Sequence, residues 1–271
     1  MKTPKQYYKE YGMKEWERLV RTPYMKLEFN TTMHFLKQFL PNKGLILDAG
    51  SGPGRYSIKL AEIGYDVIML DISSKQLEIG RKEIEKMKDR HRIKDVVEGN
   101  ISDLSMFKDN TFDAVLCLGG ALSHIIREDE RLKAVSELVR VAKTRAIIVV
   151  SVIGRLGVLK HELTKNQQEI NEYPEVFWKL IEKGDYEGEN AFTPSHFFRA
   201  DELKNLFKRK LTVLKMVGLE GLAAHHNREI DELYENMPKA WQTWWKMHLK
   251  TATEPSVVDT SEHIMIVCRK H

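Results

Sequence analysis

The sequence predicts a doubly wound α/β fold, and three observations support this prediction. Short apolar runs alternate with stretches that have helical spacing, beginning at residues 44–48 and 66–70. The runs are apolar throughout rather than at every second position, which is typical of strands buried on both faces. A glycine-rich turn follows the first run and opens a helix. Together these features predict βαβ units in a mostly parallel sheet.

Each element follows from its local pattern. The predicted strands are residues 44–48, 66–70, 93–97, 112–118, 146–152, 211–219 and 263–269. Helices are predicted over residues 54–63, 132–142 and 201–208, and another one after Ser73, which has capping-box spacing to Gln76.

Residues 1–40 are rich in aromatic side chains and are predicted to be a helical N-terminal segment or lid. Within it, Thr22 and Pro23 have the pattern of a helix start with proline at the first helical position. That helix is expected to end before Pro41.

A main domain over residues 41–271 is expected to carry insertions at about 154–195 and 221–262, because the regular alternation breaks after residue 152. The first insertion is mixed, and Gly184, Gly188 and Pro194 mark loop. The second is predicted to be helical, with three tryptophans on one face: Trp241, Trp244 and Trp245. We interpret that face as a packing surface, with base stacking as the alternative.

Composition narrows the class of protein. Hydrophobic residues make up 42% and charged residues 30%, which indicates an ordinary globular chain rather than a disordered one. The net charge of +4 is compatible with a mixed solvated surface, an anionic substrate or RNA. Cys117 and Cys268 lie in apolar runs, so buried reduced thiols are expected. No membrane-spanning run and no signal-peptide pattern are visible, so a cytoplasmic protein is expected.

The strongest local signal is the turn that runs from Asp48 through Gly50, Ser51 and Gly52 to Gly54. Glycines there let the backbone turn tightly and approach a ligand, and the helix that follows offers free N–H groups. Asp71 comes seventeen residues after Gly54, at the end of the second predicted strand. A carboxylate at that point can accept hydrogen bonds from both hydroxyls of a ribose.

The turn differs from a dinucleotide fingerprint. Arg55 stands where that fingerprint has its third glycine, and Asp48 precedes the first glycine by two residues. A carboxylate there would repel a pyrophosphate but attract an ammonium group. The pattern therefore favours a nucleoside cofactor with an amino-acid end.

Three segments resemble the class I S-adenosylmethionine-dependent methyltransferases of the type 11-like group. They are residues 46–73 (ILDAGSGPGRYSIKLAEIGYDVIMLDIS), 96–104 (VVEGNISDL) and 110–125 (NTFDAVLCLGGALSHI). The resemblance implies a Rossmann-like seven-stranded sheet with strand order 3-2-1-4-5-7-6 and an antiparallel last strand. It also implies S-adenosyl-L-methionine as the cofactor.

The resemblance further implies a cofactor site made of Asp48, Gly50, Ser51, Gly52, Asp71, Ile72, Asn100, Ile101 and Leu118. Asp48 and the glycines would border the methionine end, Asp71 the ribose, and Ile72 and Asn100 the adenine. Asn100 departs from the family, in which many members have Asp, but an amide oxygen can still accept from the adenine amine. The turn at residues 143–145 lacks the usual Pro-Gly pair.

Acceptor-site residues are harder to identify. His124 and His196 are the candidate bases or substrate-orienting groups, Arg199 could hold an anion, and Phe197 could wall the pocket. Each also fits a structural role, His124 as a helix-start residue and the others in a helix N-terminus that packs on the sheet. Arg18, Arg21, Tyr7 and Tyr8 could reach the methionine carboxylate, the substrate or merely the domain surface. No metal is expected, because His225 and His226 lack further ligands at suitable spacing.

The sequence thus predicts in-line methyl transfer from S-adenosylmethionine to a small or medium-sized molecule. The alternative acceptor is tRNA, because the C-terminal pattern EP…EHIMIVCRK and the insertion before it resemble the methyltransferase that esterifies wobble carboxymethoxyuridine. A non-catalytic S-adenosylmethionine-binding protein is a further alternative. The acceptor atom, the need for a base and the oligomeric state stay open.

Overall fold

The computed structural model describes residues 2–188, 192–208 and 211–271. In these residues a sheet of seven strands forms the centre of the molecule, in the order β3-β2-β1-β4-β5-β7-β6. The strands are β1 (Leu45–Ala49), β2 (Asp66–Asp71), β3 (Ile93–Glu98), β4 (Phe112–Cys117), β5 (Ala142–Ile153), β6 (Leu211–Gly218) and β7 (His263–Lys270). The first five are parallel, and β7 runs antiparallel to both of its neighbours. The predicted fold class and strand order are confirmed.

Helices cover both faces of the sheet and extend beyond it. They are α1 (Pro4–Tyr11), α2 (Met13–Arg18), α3 (Lys26–Phe39), α4 (Arg55–Glu62), α5 (Ser74–Glu85), α6 (Glu128–Val141), α7 (Arg155–Lys165), α8 (Gln167–Glu172), α9 (Pro174–Lys183), α10 (Ala200–Lys208), α11 (Asn227–Asn236), α12 (Pro238–Thr251) and α13 (Pro255–Asp259). A short antiparallel pair joins Asp185–Tyr186 to Ser195–His196. Among the described residues, no helix combines the length and apolar character needed to cross a bilayer.

The core lies in two layers, one on each side of the sheet. Neighbouring residues of one strand enter opposite layers, as Ile46 and Leu47 do, and both are fully buried. Because successive strand side chains point to opposite faces, a strand covered on both sides must be apolar at every position. Cys117 and Cys268 are buried and unpaired, as predicted.

Two predictions about helices were wrong. The third helix begins at Lys26 rather than at Pro23, because the Thr22 hydroxyl accepts from the Met25 N–H and holds a turn before it. The segment after residue 154 is mostly helical rather than mixed. Its helices are α7 to α9, and Pro174 starts the last of them and Gly184 ends it. Residues 189–191 of that insertion lie outside the described residues.

The later insertion packs against α3. Trp241, Trp244 and Trp245 lie against a cluster that contains Tyr24 and Leu27, so their shared face is a packing surface. The buried His248 ring nitrogen Nε2 lies 2.8 Å from the Thr31 hydroxyl. Helix α12 therefore packs over α3, whereas α13 packs against β6 and α10.

Candidate active site

A cavity of about 450 Å³ opens at the carboxyl ends of β1, β2 and β4, which is where ligands bind in open α/β sheets. Its size suits a small organic molecule. All of the residues predicted for the cofactor site line it, namely Asp48, Gly50, Ser51, Gly52, Asp71, Ile72, Asn100, Ile101 and Leu118. The chain thus brings together side chains from four separate strand ends.

The glycine-rich turn is tied to the end of β2. The N–H groups of Gly50 and Ser51 donate to the Leu70 carbonyl, and the Gly52 N–H donates to Asp71 Oδ2 at 2.7 Å. Gly50 has a φ of +84°, and a Cβ there would lie 2.5 Å from the Ala121 Cβ. Only glycine therefore satisfies both the backbone conformation and the close approach of the next loop.

Two carboxylates line this cavity, of which Asp48 is fully buried and Asp71 is half-buried. Asp48 is 1% exposed and accepts from the Ser57 hydroxyl, while Asp71 also accepts from the Ser73 N–H at 2.8 Å. Burial raises the pKa of Asp48 to about 6 and the pKa of Asp71 to about 6, although the hydrogen bonds that each carboxylate accepts lower its pKa. Neither forms an ion pair with a described residue. Such carboxylates gain from a ligand that brings hydroxyl donors or a cation.

Apolar side chains complete the wall beside these acids. Ile72 is a large apolar residue that is 39% exposed, Ile101 is buried, and both line the cavity. The Asn100 amide oxygen accepts from the Ser102 N–H at 2.9 Å, which fixes the turn after β3. Part of the acceptor capacity of Asn100 is therefore used within its own loop.

The N-terminal helices α1 and α2 contribute another part of the cavity wall, including Thr3, Lys5, Tyr8, Glu15 and Arg18. Arg55 holds them to α4: its Nε donates to the Trp16 carbonyl at 2.8 Å, and its guanidinium lies 3.7 Å from the centre of the Trp16 ring.

Gln76 holds α1 from the other side. Its side-chain amide donates to the carbonyls of Tyr8 and Gly12 rather than closing a capping box. Ser73 still accepts from the Gln76 N–H, so half of the predicted box forms. Sequence reasoning missed the tethering roles of Gln76 and Arg55, because nothing in their local pattern points to a distant helix.

Arg18 lies in a buried ionic network rather than free in the cavity. It contacts Glu15 at 3.0 Å and Glu28 at 2.5 Å, and Glu28 in turn lies 3.8 Å from His263. His263 also contacts Glu220 at 2.8 Å. Burial alone lowers the pKa of His263, but the carboxylates of Glu28 and Glu220 raise it to about 9. The alternating charges of these side chains are enough to explain why they lie together. Of the other N-terminal candidates, Arg21, Tyr7 and Tyr8, only Tyr8 lines the cavity together with Arg18.

The structure separates the two candidate catalytic histidines. His124 lines the first cavity, with Nε2 2.9 Å from the Tyr8 hydroxyl and Nδ1 3.1 Å from the Ser195 hydroxyl. Burial lowers the pKa of His124 to about 4, so its imidazole is neutral at pH 7. His196 lies outside the cavities and is held between Asp185 at 2.6 Å and Glu202 at 2.5 Å.

The two candidate substrate-binding residues are also separated. Arg199 forms an ion pair with Asp259 and lines neither the cavity of the cofactor residues nor the cavity that contains Phe197. Phe197 does line a cavity, but a different one from that of the cofactor residues. Their neighbourhood in sequence suggested one site, yet Arg199 is held by Asp259 just before α10, whereas Phe197 packs with Leu180 and Tyr186.

This second cavity has a volume of about 300 Å³ and lies between the end of β5, the helices α7 to α9 and the start of β7. Phe192 lines it, and the Phe192 ring lies 5.7 Å from the His124 ring and 5.6 Å from the Tyr7 ring. Because His124 lines the first cavity, the two cavities are neighbours across this aromatic contact. His225, which sequence reasoning took for a surface or lining residue, borders the second one.

Comparisons with known proteins agree with this architecture. Residues 46–145 match a family model described as a methyltransferase domain. A glycine/sarcosine N-methyltransferase of Halorhodospira halochloris is 26% identical over 185 residues, which cover 65% of this chain and 67% of that protein. Another, of Aphanothece halophytica, is 33% identical over 104 residues, and the match spans 38% of each chain.

Solved structures show the same fold. A methyltransferase of Methanosarcina mazei that is described as S-adenosylmethionine-dependent superposes with a TM-score of 0.60 at 20% identity, covering 87% of this chain and 96% of that one. A protein of Pyrococcus horikoshii superposes with a TM-score of 0.56 at 17% identity, covering 89% of each. Together with the glycine-rich turn, the paired acids and the strand order, these matches show that residues 46–145 form a methyltransferase domain and that the chain has the fold of S-adenosylmethionine-dependent methyltransferases.

Proposed function

We propose that the protein transfers the methyl group of S-adenosylmethionine, held in the first cavity, to a small-molecule acceptor. One observation carries the proposal: the residues that the family pattern selects line a single cavity, and the two carboxylates among them, Asp48 and Asp71, lack a cationic partner among the described residues. This donor and acceptor set fits a nucleoside with an amino-acid end.

Each part of the cavity has a role in this proposal. Asp71 would accept hydrogen bonds from the ribose hydroxyls, and Asp48 would attract the ammonium of the methionine end. Ile72 and Ile101 would pack on the adenine, and the turn after β3 would offer the Ile101 N–H to it. The open Gly50 turn would let the backbone approach the cofactor closely.

When bound, S-adenosylmethionine supplies a methyl group activated on a sulfonium, and transfer to a nucleophile's lone pair leaves a neutral thioether. The protein's own part is to position the acceptor and exclude water. Helices α1 and α2, held by Arg55 and Gln76, wall the cavity and serve that purpose. His124 is neutral, and its two ring nitrogens bond to the Tyr8 and Ser195 hydroxyls, so its role would be to position Tyr8 at the cavity wall.

The second cavity supports a small acceptor. It adjoins the first at the Phe192 and His124 contact, and its volume of about 300 Å³ suits a small molecule rather than a polynucleotide. The glycine/sarcosine N-methyltransferase relatives, whose names describe small substrates, support the same size class.

The proposal is tested by incubating the protein with cofactor labelled in its methyl group and two pools, small metabolites and total tRNA. We expect label in the small-molecule pool and none in tRNA. Asp71→Ala should abolish most of the labelling at a subsaturating cofactor concentration. Label confined to tRNA would contradict the small-molecule acceptor, and binding of S-adenosylhomocysteine without transfer to either pool would contradict catalysis.

A further inference from the structure

The geometry of the second cavity points to an acceptor that carries a positively charged amine on an apolar body. This inference rests on the proposed function and names the substrate class of the same site. We infer that Glu162 and Glu262 bind the amine and that the aromatic wall holds the rest of the molecule.

Glu162 supplies the first argument. It lines the cavity from α7, and its Oε2 is buried without a hydrogen-bond partner among the described residues. The Asn166 side chain bonds to the same carboxyl group, which leaves one oxygen unsatisfied. Burial raises the pKa of Glu162, and the hydrogen bond from Asn166 and the nearby His161 offset only part of that rise. An ammonium donor would satisfy both the oxygen and the charge.

The charges around the cavity supply the second argument. Glu169 and Glu262 line it with Glu162, and no lining residue that the structure describes is a lysine or an arginine. His263 is the cation at its edge, but Glu28 and Glu220 already neutralise it. Burial lowers the pKa of His225, which favours the neutral ring. The cavity therefore has an excess of negative charge.

The remaining wall is apolar and aromatic. It is formed by Ile153, Val158, Val176, Phe177, Leu180, Tyr186, Phe192 and Phe197. Aromatic faces attract organic cations as well as apolar groups. An acidic patch beside such a wall suits an amine with a hydrocarbon or aromatic portion.

The same charges disfavour a carboxylate acceptor. A substrate carboxylate in this cavity would face three glutamates with no lysine or arginine to offset the repulsion among the described lining residues. The distant resemblance to an enzyme that esterifies a nucleoside carboxylate therefore gains no support from this cavity.

The test compares three probes of similar shape on the whole protein saturated with S-adenosylhomocysteine: 2-phenylethylamine, 2-phenylethanol and phenylacetate. Calorimetry is expected to show the amine binding at least about tenfold more tightly than either other probe. Glu162→Gln should weaken amine binding about tenfold and leave the affinity for S-adenosylhomocysteine unchanged. Glu175→Gln, an exposed acid on α9 outside the cavity, is the matched control and should change neither.

Each outcome bears on a separate proposal. If S-adenosylhomocysteine gives no heat, the proposed function fails before the amine is tested. If it binds but phenylacetate or 2-phenylethanol matches the amine, the substrate class is wrong while the proposed function stands. The ranking of probes on the unmodified protein needs no variant, so it decides the question even if Glu162→Gln folds poorly. Loss of S-adenosylhomocysteine affinity in a folded Glu162→Gln would also overturn the separate roles of the two cavities.

Discussion

The two cavities are built in different ways although they are neighbours. The part of the first cavity that holds Asp48 and Asp71 is made of strand ends and the short turns that follow them, and α1 and α2 add a wall. The second is made of side chains on α7 to α9 and at the two ends of the later insertion, such as His225 and Glu262. Two of its three glutamates, Glu162 and Glu169, lie on helices that pack on one another.

This difference affects how easily the side chains of each cavity can be exchanged. A strand end fixed by the sheet places Asp71 through two backbone hydrogen bonds, so its position depends on little else. A glutamate on a short helix can be exchanged without disturbing the sheet. We therefore expect changes in the first cavity to affect cofactor binding and changes in the second to affect acceptor choice.

The largest effect that separates the cavities should come from Gly50→Ala. Strain from the positive φ and the 2.5 Å approach to Ala121 should lower the free energy of unfolding by about 3 kcal/mol and impair S-adenosylhomocysteine binding. Gly64→Ala is the control, because Gly64 has a φ of +107° with nothing within 4 Å of the added Cβ. Backbone strain alone should lower the free energy of unfolding of Gly64→Ala by about 1–2 kcal/mol, measured by urea denaturation. Equal losses in the two variants would remove the role assigned to the contact with Ala121.

Asp71→Ala should come next. Loss of a charged acceptor is expected to weaken S-adenosylhomocysteine binding by about 1–3 kcal/mol in calorimetry. Binding of 2-phenylethylamine to the second cavity should not change. Asp66→Ala, at the opposite end of β2 and paired with surface cations, is the matched control and should leave both affinities intact. A parallel loss of both affinities in Asp71→Ala would show that the cavities are not independent.

The pH dependence of cofactor binding should be smaller. Asp48 and Asp71 have folded pKa values of about 6, so both must lose a proton to act as charged acceptors. Affinity for S-adenosylhomocysteine should fall about tenfold as the pH drops from 7 to 5, and Asp71→Asn should flatten this dependence. Without cofactor, the free energy of unfolding should depend on pH in the opposite direction. Because these pKa values are raised on folding, the stability they contribute is present below pH 4 and is lost as the pH rises through 6.

Arg55→Met should have the smallest effect. Losing the bond to the Trp16 carbonyl and the stacking on its ring should weaken the attachment of α1 and α2 by about 1 kcal/mol. Hydrogen exchange of residues 4–18 should accelerate, and S-adenosylhomocysteine should dissociate faster. Lys59→Met, which removes an exposed ion pair on the same helix, is the control. It should change the free energy of opening measured by hydrogen exchange by no more than about 0.5 kcal/mol. If both variants exchange alike, Arg55 does not hold the N-terminal helices.

The apolar runs and the glycine-rich turn were enough to predict the sheet and the acids of the first cavity, and the family resemblance added the strand order and the remaining site residues. Uniformly apolar runs mark strands that are buried on both faces, and Ile46 and Leu47 illustrate this in adjacent positions. The site residues follow strand ends in the chain, and parallel strands place their carboxyl ends at one edge. Local sequence is therefore enough to bring Asp48, Asp71 and Asn100 together.

Three features depend on tertiary packing and could not be predicted from the sequence: the second cavity, the tethering of the N-terminal helices and the buried ionic network. Glu162 and Glu262 are distant in the chain, and they line one cavity only because α7 packs beside the start of β7. Arg18 and His263 likewise meet through Glu28, although the three belong to different elements. Such groups are brought together by helix packing, whose angles and contacts depend on all the side chains at once and leave no local pattern to read.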